Sequence, residues 1–119
     1  MTALIDSDAI AALVALRRPG KPDLVARVVD LFHDETPRLL QSIHDGLDAS
    51  DLESVRVAAH TLKSSSAYVG AREFSESCSR IERSARDGNL IDCLLAADGL
   101  ADLYERTVAA LIDAVPRAA

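Results

Sequence analysis

The chain has 119 residues and a formal net charge of −6, a length suited to one domain over 1–119 that buries roughly two thirds of its unfolded surface. An acidic balance without a basic stripe, and Phe32, Tyr68, Phe74 and Tyr104 as the only aromatics, argue against a nucleic-acid surface. No apolar run approaches the ~18 residues of a membrane span, and Met1 to Asp6 show no charged-then-apolar leader, so no membrane insertion and a cytoplasmic location are expected.

With 49% hydrophobic residues and no Trp, Leu, Val, Ile and Ala must fill the core, a composition that favours packed helices. Cys78 and Cys93 are too few for a disulfide framework and read as reduced core thiols. Residues 6–17 carry Ile10, Leu13, Val14 and Leu16 at helical spacing behind Asp6, Ser7 and Asp8, all competent N-caps. Arg17-Arg18-Pro19-Gly20 ends this short helix. Pro22 suits the first turn of a long second helix, with Asp23 at its positive end. Its stripe is Leu24, Val28, Leu31, Phe32, Leu39, Leu40, Ile43 and Leu47, with a bend expected near 33–37 because Pro37 removes a backbone hydrogen bond.

Gly46 to Ser50 form a short connection, and Ser50-Asp51-Leu52-Glu53 has the form of a capping box opening a third helix. Gly70 is the candidate for its left-handed end. A fourth helix runs from Arg72 to Arg86, with Phe74, Cys78, Ile81 and Ala85 inward and a charged outer face, and Asp87-Gly88-Asn89 stops it. The last helix spans Leu90 to Val115, with Leu94, Leu95, Ala101, Tyr104, Val108, Leu111 and Ile112 inward. Gly99 loosens its middle, and Pro116 closes the ordered chain. Strand periodicity is missing. The expected fold is therefore all-α, an antiparallel four-helix bundle with a short additional N-terminal helix over one end.

Within the third helix, Val55, Ala58, Ala59, Leu62, Ser66 and Val69 form one inward stripe, and at about 100° per residue His60 points about 160° away from Leu62. The imidazole is expected to face water. One turn away on that face are Arg56 and Ser64, with Lys63 to one side, Val57 to the other and Ala67 two turns on. Small side chains at Ser64 and Ala67 admit another protein's surface, while Lys63 and Arg56 suit a negative charge on the ring. The pattern suggests a phosphate.

Ala58-Ala59-His60-Thr61-Leu62-Lys63, then Val69-Gly70-Ala71, then Cys78-x-x-Ile81-Glu82-x-x-x-Arg86 resemble the histidine-containing phosphotransfer (HPt) domain family. The chain departs from that family at Ser64, often Gly, and at Tyr68, commonly Asn. Serine is small enough to preserve close approach; Tyr68 either alters the surface near the helix end or tucks inward.

The resemblance implies a phosphorelay carrier in two-component signalling. His60 takes a phosphoryl group from an aspartate of a response-regulator receiver domain and passes it to a second receiver aspartate, with a (hybrid) sensor histidine kinase upstream. Lys63 offers a cation to the phosphorylated ring, and Arg56, Val57, Ser64 and Ala67 form the docking rim. The chain has no Gly-rich nucleotide loop or acidic metal cluster, so it is expected to be a carrier and not an enzyme, with no cofactor of its own and Mg2+ on the receiver. A neutral imidazole is a competent nucleophile near neutral pH without a triad.

His33 and His44 lack a Lys-and-small-residue frame and read as structural or solvent histidines. Asp30-x-x-His33 places a carboxylate and an imidazole one turn apart, but a di-metal bundle needs a second such motif and further carboxylates, so no metal site is expected. Two alternatives keep the fold: a helical adaptor that binds a receiver without relaying, and the phospho-accepting segment of a larger histidine kinase. Retention of His60 and Lys63 weighs against the adaptor.

Overall fold

The computed structural model of the protein describes residues 3–115; the stop expected at Pro116 lies outside them. The described residues form six helices, α1 (Ser7–Val14), α2 (Leu24–Asp48), α3 (Leu52–Tyr68), α4 (Arg72–Arg86), α5 (Leu90–Ala97) and α6 (Leu100–Ala114). α2 packs on α3, α3 on α4, and α4 on α5 and α6, both of which return to α2. The result is the expected bundle, with its fourth position shared by α5 and α6.

α1 is shorter than the 6–17 expected from sequence. Asp6 caps it, accepting from the backbone N–H of Asp8 and Ala9, and Ile10 and Leu13 are its buried residues. Leu16 lies beyond the helix and is exposed. The Asp6 N–H donates to the Gly70 carbonyl at 2.7 Å, and Arg72 pairs with the Asp6 carboxylate at 2.9 Å. α1 is thereby pinned to the turn between α3 and α4.

Asp23, and not Pro22, opens α2, accepting from the Ala26 N–H at 3.1 Å. The buried line is Val25, Val29, Phe32, Thr36, Leu40, Ile43 and Leu47, spaced at three and four residues as a core-facing stripe requires. Leu24 and Leu31, expected on that stripe, are about half exposed. The first two turns are apolar on several sides, so periodicity alone does not choose between neighbouring faces. Pro37 lies inside α2 without ending it. It has no N–H for the carbonyl one turn back, that of His33, and the Tyr104 hydroxyl donates to that oxygen at 2.8 Å instead. The Tyr104 ring also packs against Phe32 and Phe74, with centroids 6.0 and 5.9 Å away, joining α2, α4 and α6 across the core.

The single last helix expected over 90–115 is two helices. Gly99 has φ 75°, a left-handed conformation that costs little only without a Cβ, and it stops the α-helical run between Ala97 and Leu100. Leu94 and Leu95, expected inward, are 50% and 63% exposed, and Ile112 and Ala101 also face out. Cys93 anchors α5, while Leu100, Leu103, Tyr104, Thr107, Val108 and Leu111 anchor α6. α5 is apolar on nearly every side, so its sequence does not single out the face that packs.

Candidate functional site

The site begins with the start of α3. The connection from α2 is 49–51, since Gly46 to Asp48 still belong to α2. Ser50 takes a left-handed φ of 55°, and Asp51 is the cap, accepting from the Ser54 N–H at 3.2 Å and the Ser54 hydroxyl at 2.6 Å. The capping box expected at Ser50 and Glu53 is therefore not formed: the cap lies one residue later, its own N–H donates to the Gly46 carbonyl, and Glu53 turns to Arg56. From this start, Val55, Ala58, Ala59, Leu62, Ser66 and Val69 are all buried as expected. The register leaves the His60 side chain 58% exposed.

Gly70, with φ 82°, reverses the chain. A Cβ there would meet Ile10 Cγ1 at 3.0 Å and the Asp6 carbonyl at 3.1 Å, so both conformation and close approach of α1 require glycine. α4 then runs back along α3, and the Ser75 hydroxyl donates to the Lys63 carbonyl at 2.9 Å. Phe74, Cys78, Ile81 and Ala85 are buried as expected.

Glu82 is buried with them, its side chain only 3% exposed. One carboxylate oxygen lies 2.5 Å from His60 Nδ1, and the other accepts from Lys63 Nζ at 2.6 Å. Arg86, one turn on, approaches the first oxygen at 3.5 Å. A buried carboxylate is tolerable only when paired and hydrogen-bonded, and α3 supplies both partners. The Lys63 ammonium first, and the hydrogen bond from His60 after it, hold the Glu82 carboxyl below its ordinary range against the opposing effect of burial. An ionised carboxylate only accepts hydrogen bonds, so the proton of this contact is on Nδ1. In the neutral ring, Nε2 then carries the free lone pair on the solvent side. It has no hydrogen-bond partner among the described residues.

Glu82 is the residue that reading α3 alone passed over. The available signal was the spacing 78, 81, 82, 85, one face of a helix at i, i+3, i+4 and i+7, which places a carboxylate on the core edge of α4 instead of its charged outer face. Lys63 lies beside His60 as expected, but its charge is already engaged. Arg56 does not join the group, because its guanidinium binds Glu53 at 2.6 and 2.9 Å. That pairing raises the Arg56 pKa.

Val57, Ser64 and Ala67 are exposed on α3. Ser64 lines a groove of about 510 Å³ between α2 and α3 that also meets Leu31, Leu39 and Tyr68. Tyr68 is 58% exposed, so of its two readings the surface one holds. Among the described residues, no group of three or more His, Cys, Asp and Glu side chains is placed to hold a metal ion, and no helix is long and apolar enough to cross a membrane.

Known proteins resemble the chain in sequence and in fold. The family model described as the Hpt domain matches residues 27–113. Histidine-containing phosphotransfer protein 5 of Arabidopsis thaliana is 35% identical over 82 residues, covering 66% of this chain and 52% of the relative. Histidine-containing phosphotransfer protein 2 of Oryza sativa subsp. japonica is 33% identical over 79 residues, covering 65% and 53%. The chain thus spans about half the length of these relatives. Among solved structures, histidine-containing phosphotransfer protein B (HptB) from Pseudomonas aeruginosa PAO1 superposes with a TM-score of 0.82 at 22% identity over 95% of each chain, a likeness of fold. Histidine-containing phosphotransfer protein ZmHP2 from maize gives 0.79 at 27% identity, covering 93% of this chain and 84% of that one.

Proposed function

Because the chain belongs to the Hpt domain family, we propose that it is a phosphorelay carrier whose His60 Nε2 accepts a phosphoryl group from a receiver-domain aspartyl phosphate and passes it to another receiver aspartate. The observation that carries this reading is the orientation of His60. Its Nδ1 is tied to buried Glu82 at 2.5 Å while the ring stays 58% exposed, so the nucleophilic nitrogen faces the side from which a partner approaches. The imidazole needs no general base, since its one N–H proton, on Nδ1, does not have to leave for Nε2 to attack.

Lys63, on the adjoining position of α3, gives the phosphorylated ring a cation when its contact with Glu82 is shared or exchanged. Val57, Ser64 and Ala67 form the rim against which a receiver docks, and Arg56, already held by Glu53, contributes its charge at the margin. The magnesium this chemistry uses belongs to the receiver's acidic pocket; no residue of this chain is assigned to it. The upstream partner is a sensor histidine kinase, hybrid or acting through a separate receiver, and the protein works in the cytoplasm.

The test is transfer from receivers encoded beside this protein, charged with a labelled small-molecule phosphodonor. The wild type is expected to take up label in an acid-labile, alkali-stable bond, and His60→Gln to take up none. Undiminished labelling of His60→Gln removes the assignment.

A further inference from the structure

α5 turns its largest apolar side chains to solvent. Ile91, Leu94 and Leu95 are 72%, 50% and 63% exposed. At about 100° per residue they fall with Asp98, the next residue of the same stripe, in one arc of about 100°. Cys93, on the far side of the helix, is the buried anchor. Single exposed leucines are ordinary on a protein surface; three large apolar residues on one stripe of an eight-residue helix are an unpartnered face. Gly99 makes that face possible. Its left-handed φ of 75° frees α5 from the register by which α6 buries Leu100, Leu103 and Tyr104.

Opposite charges stand at the two ends of the stripe. At the N-terminal end, Arg83 of α4 is exposed and close enough to Asp92 for its charge to act on that carboxylate. Asp92 itself is engaged by the Arg80 guanidinium and the Ser84 hydroxyl, so Arg83 forms no ion pair among the described residues. Asp98, at the C-terminal end, is exposed and equally unpaired. Such a face is complementary to itself when a second copy is turned end for end. Each Asp98 then meets the partner's Arg83, and the leucines meet around the two-fold axis. We infer that the Ile91, Leu94 and Leu95 face of α5 is the contact through which two copies of this chain associate as an antiparallel, two-fold pair. Three large side chains cover a few hundred Å² per copy, less than the ~800 Å² of a standard interface, so the dimer is weak, with a Kd of roughly 10–500 µM.

The pair leaves the histidine open. Arg80 and Ser84 lie on the edge of α4 that meets α5, while Glu82, about 160° around the same helix, meets His60 on α3. α4 thus stands between the dimer face and His60. Both histidines of a pair stay exposed, and each copy keeps its own docking rim. The association depends on none of the residues that the carrier reading uses, and it stands or falls separately from that reading.

Sedimentation velocity of the full chain from about 10 µM to about 1 mM tests it, and the wild type is expected to pass from monomer to dimer across that range. Leu94→Glu is expected to weaken the dimer at least about tenfold, because symmetry places the change twice in the contact. Asp98→Arg and Arg83→Asp each set like charges against one another at both ends and are expected to weaken it roughly 5- to 30-fold. All three positions are exposed, so the helical fold survives the changes, which circular dichroism verifies. Mixed in equal amounts, the two charge variants are complementary again and should form a heterodimer near wild-type strength. A wild type that stays monomeric to about 1 mM overturns the inference, including where a receiver domain proves to cover α5 instead. A dimer that Leu94→Glu leaves intact overturns it too, as does a mixture of the charge variants that associates no better than either one alone.

Discussion

The Tyr104 hydroxyl donates at 2.8 Å to the His33 carbonyl, the oxygen that Pro37 leaves without its helical partner. A proline in the middle of a 25-residue helix is thus accommodated by a side chain 71 residues from the carbonyl it leaves open. Tyr104→Phe keeps the ring packing against Phe32 and Phe74 but abandons the carbonyl, and is expected to cost about 1–2 kcal/mol. In a Pro37→Ala background the restored backbone N–H at position 37 serves that oxygen, so the cost of Tyr104→Phe should shrink. Urea denaturation of the four proteins measures this; strict additivity would show that the two residues do not share the carbonyl.

Lys63 has a structural duty as well as its proposed chemical one. Lys63→Ala leaves buried Glu82 with His60 and the looser Arg86 as partners, and should lower stability by about 1–2 kcal/mol while the bundle remains folded. Adding Glu82→Gln should recover part of that loss, since the unpaired charge is then gone. Thermal melts of the single and double variants decide it, and an unchanged melting temperature for Lys63→Ala would deny the pairing any weight.

Gly46 lies within α2, where alanine ordinarily stabilises a helix. Here a Cβ would stand 2.7 Å from Val55 Cγ2 and 3.1 Å from the Asp51 carbonyl, just where α2 and α3 converge. Gly46→Ala is therefore expected to destabilise by about 1–3 kcal/mol through overpacking. A gain in denaturation midpoint would mean that the two helices part at little cost.

Carboxylates held below their ordinary pKa make the fold sensitive to acid, Asp92 and the buried Glu82 among them. The pKa of Asp92 is lowered from 3.8 to about 2 by hydrogen bonds from Arg80 and then Ser84, and that of Glu82 is lowered chiefly by Lys63. Groups whose pKa falls on folding stabilise the native state above their unfolded pKa and cease to do so as pH drops through the folded value. Stability should hold from neutral pH down to about 4. The Asp92 contribution should then disappear between 3.8 and about 2. Denaturation midpoints at stepped pH, compared with Asp92→Asn, test this: the variant should lose less over that last interval, and parallel curves would exclude Asp92.

Where a helix has one apolar face, its sequence was enough. The stripe of α3 and the glycine that ends it placed His60 outward, and the cap moved by one residue without altering that register. In α5, and in the first turns of α2, apolar side chains surround the axis. Leu94, Leu95, Leu24 and Leu31 could not be told from true core residues there, because a period of 3.6 selects a face only when the other faces are polar.

The sequence by itself thus determined an all-helical chain with an exposed histidine beside a lysine on a rigid element, since caps, glycine conformation and periodicity are local properties. Tertiary structure alone decided what stands behind that histidine. Helix packing sets which residue of α4 meets which residue of α3, and it brought Glu82 within 2.5 Å of Nδ1 and diverted Lys63 to the same carboxylate. It also left Arg56 outside. Burial makes those contacts consequential, because a carboxylate removed from water must be answered by the groups that face it.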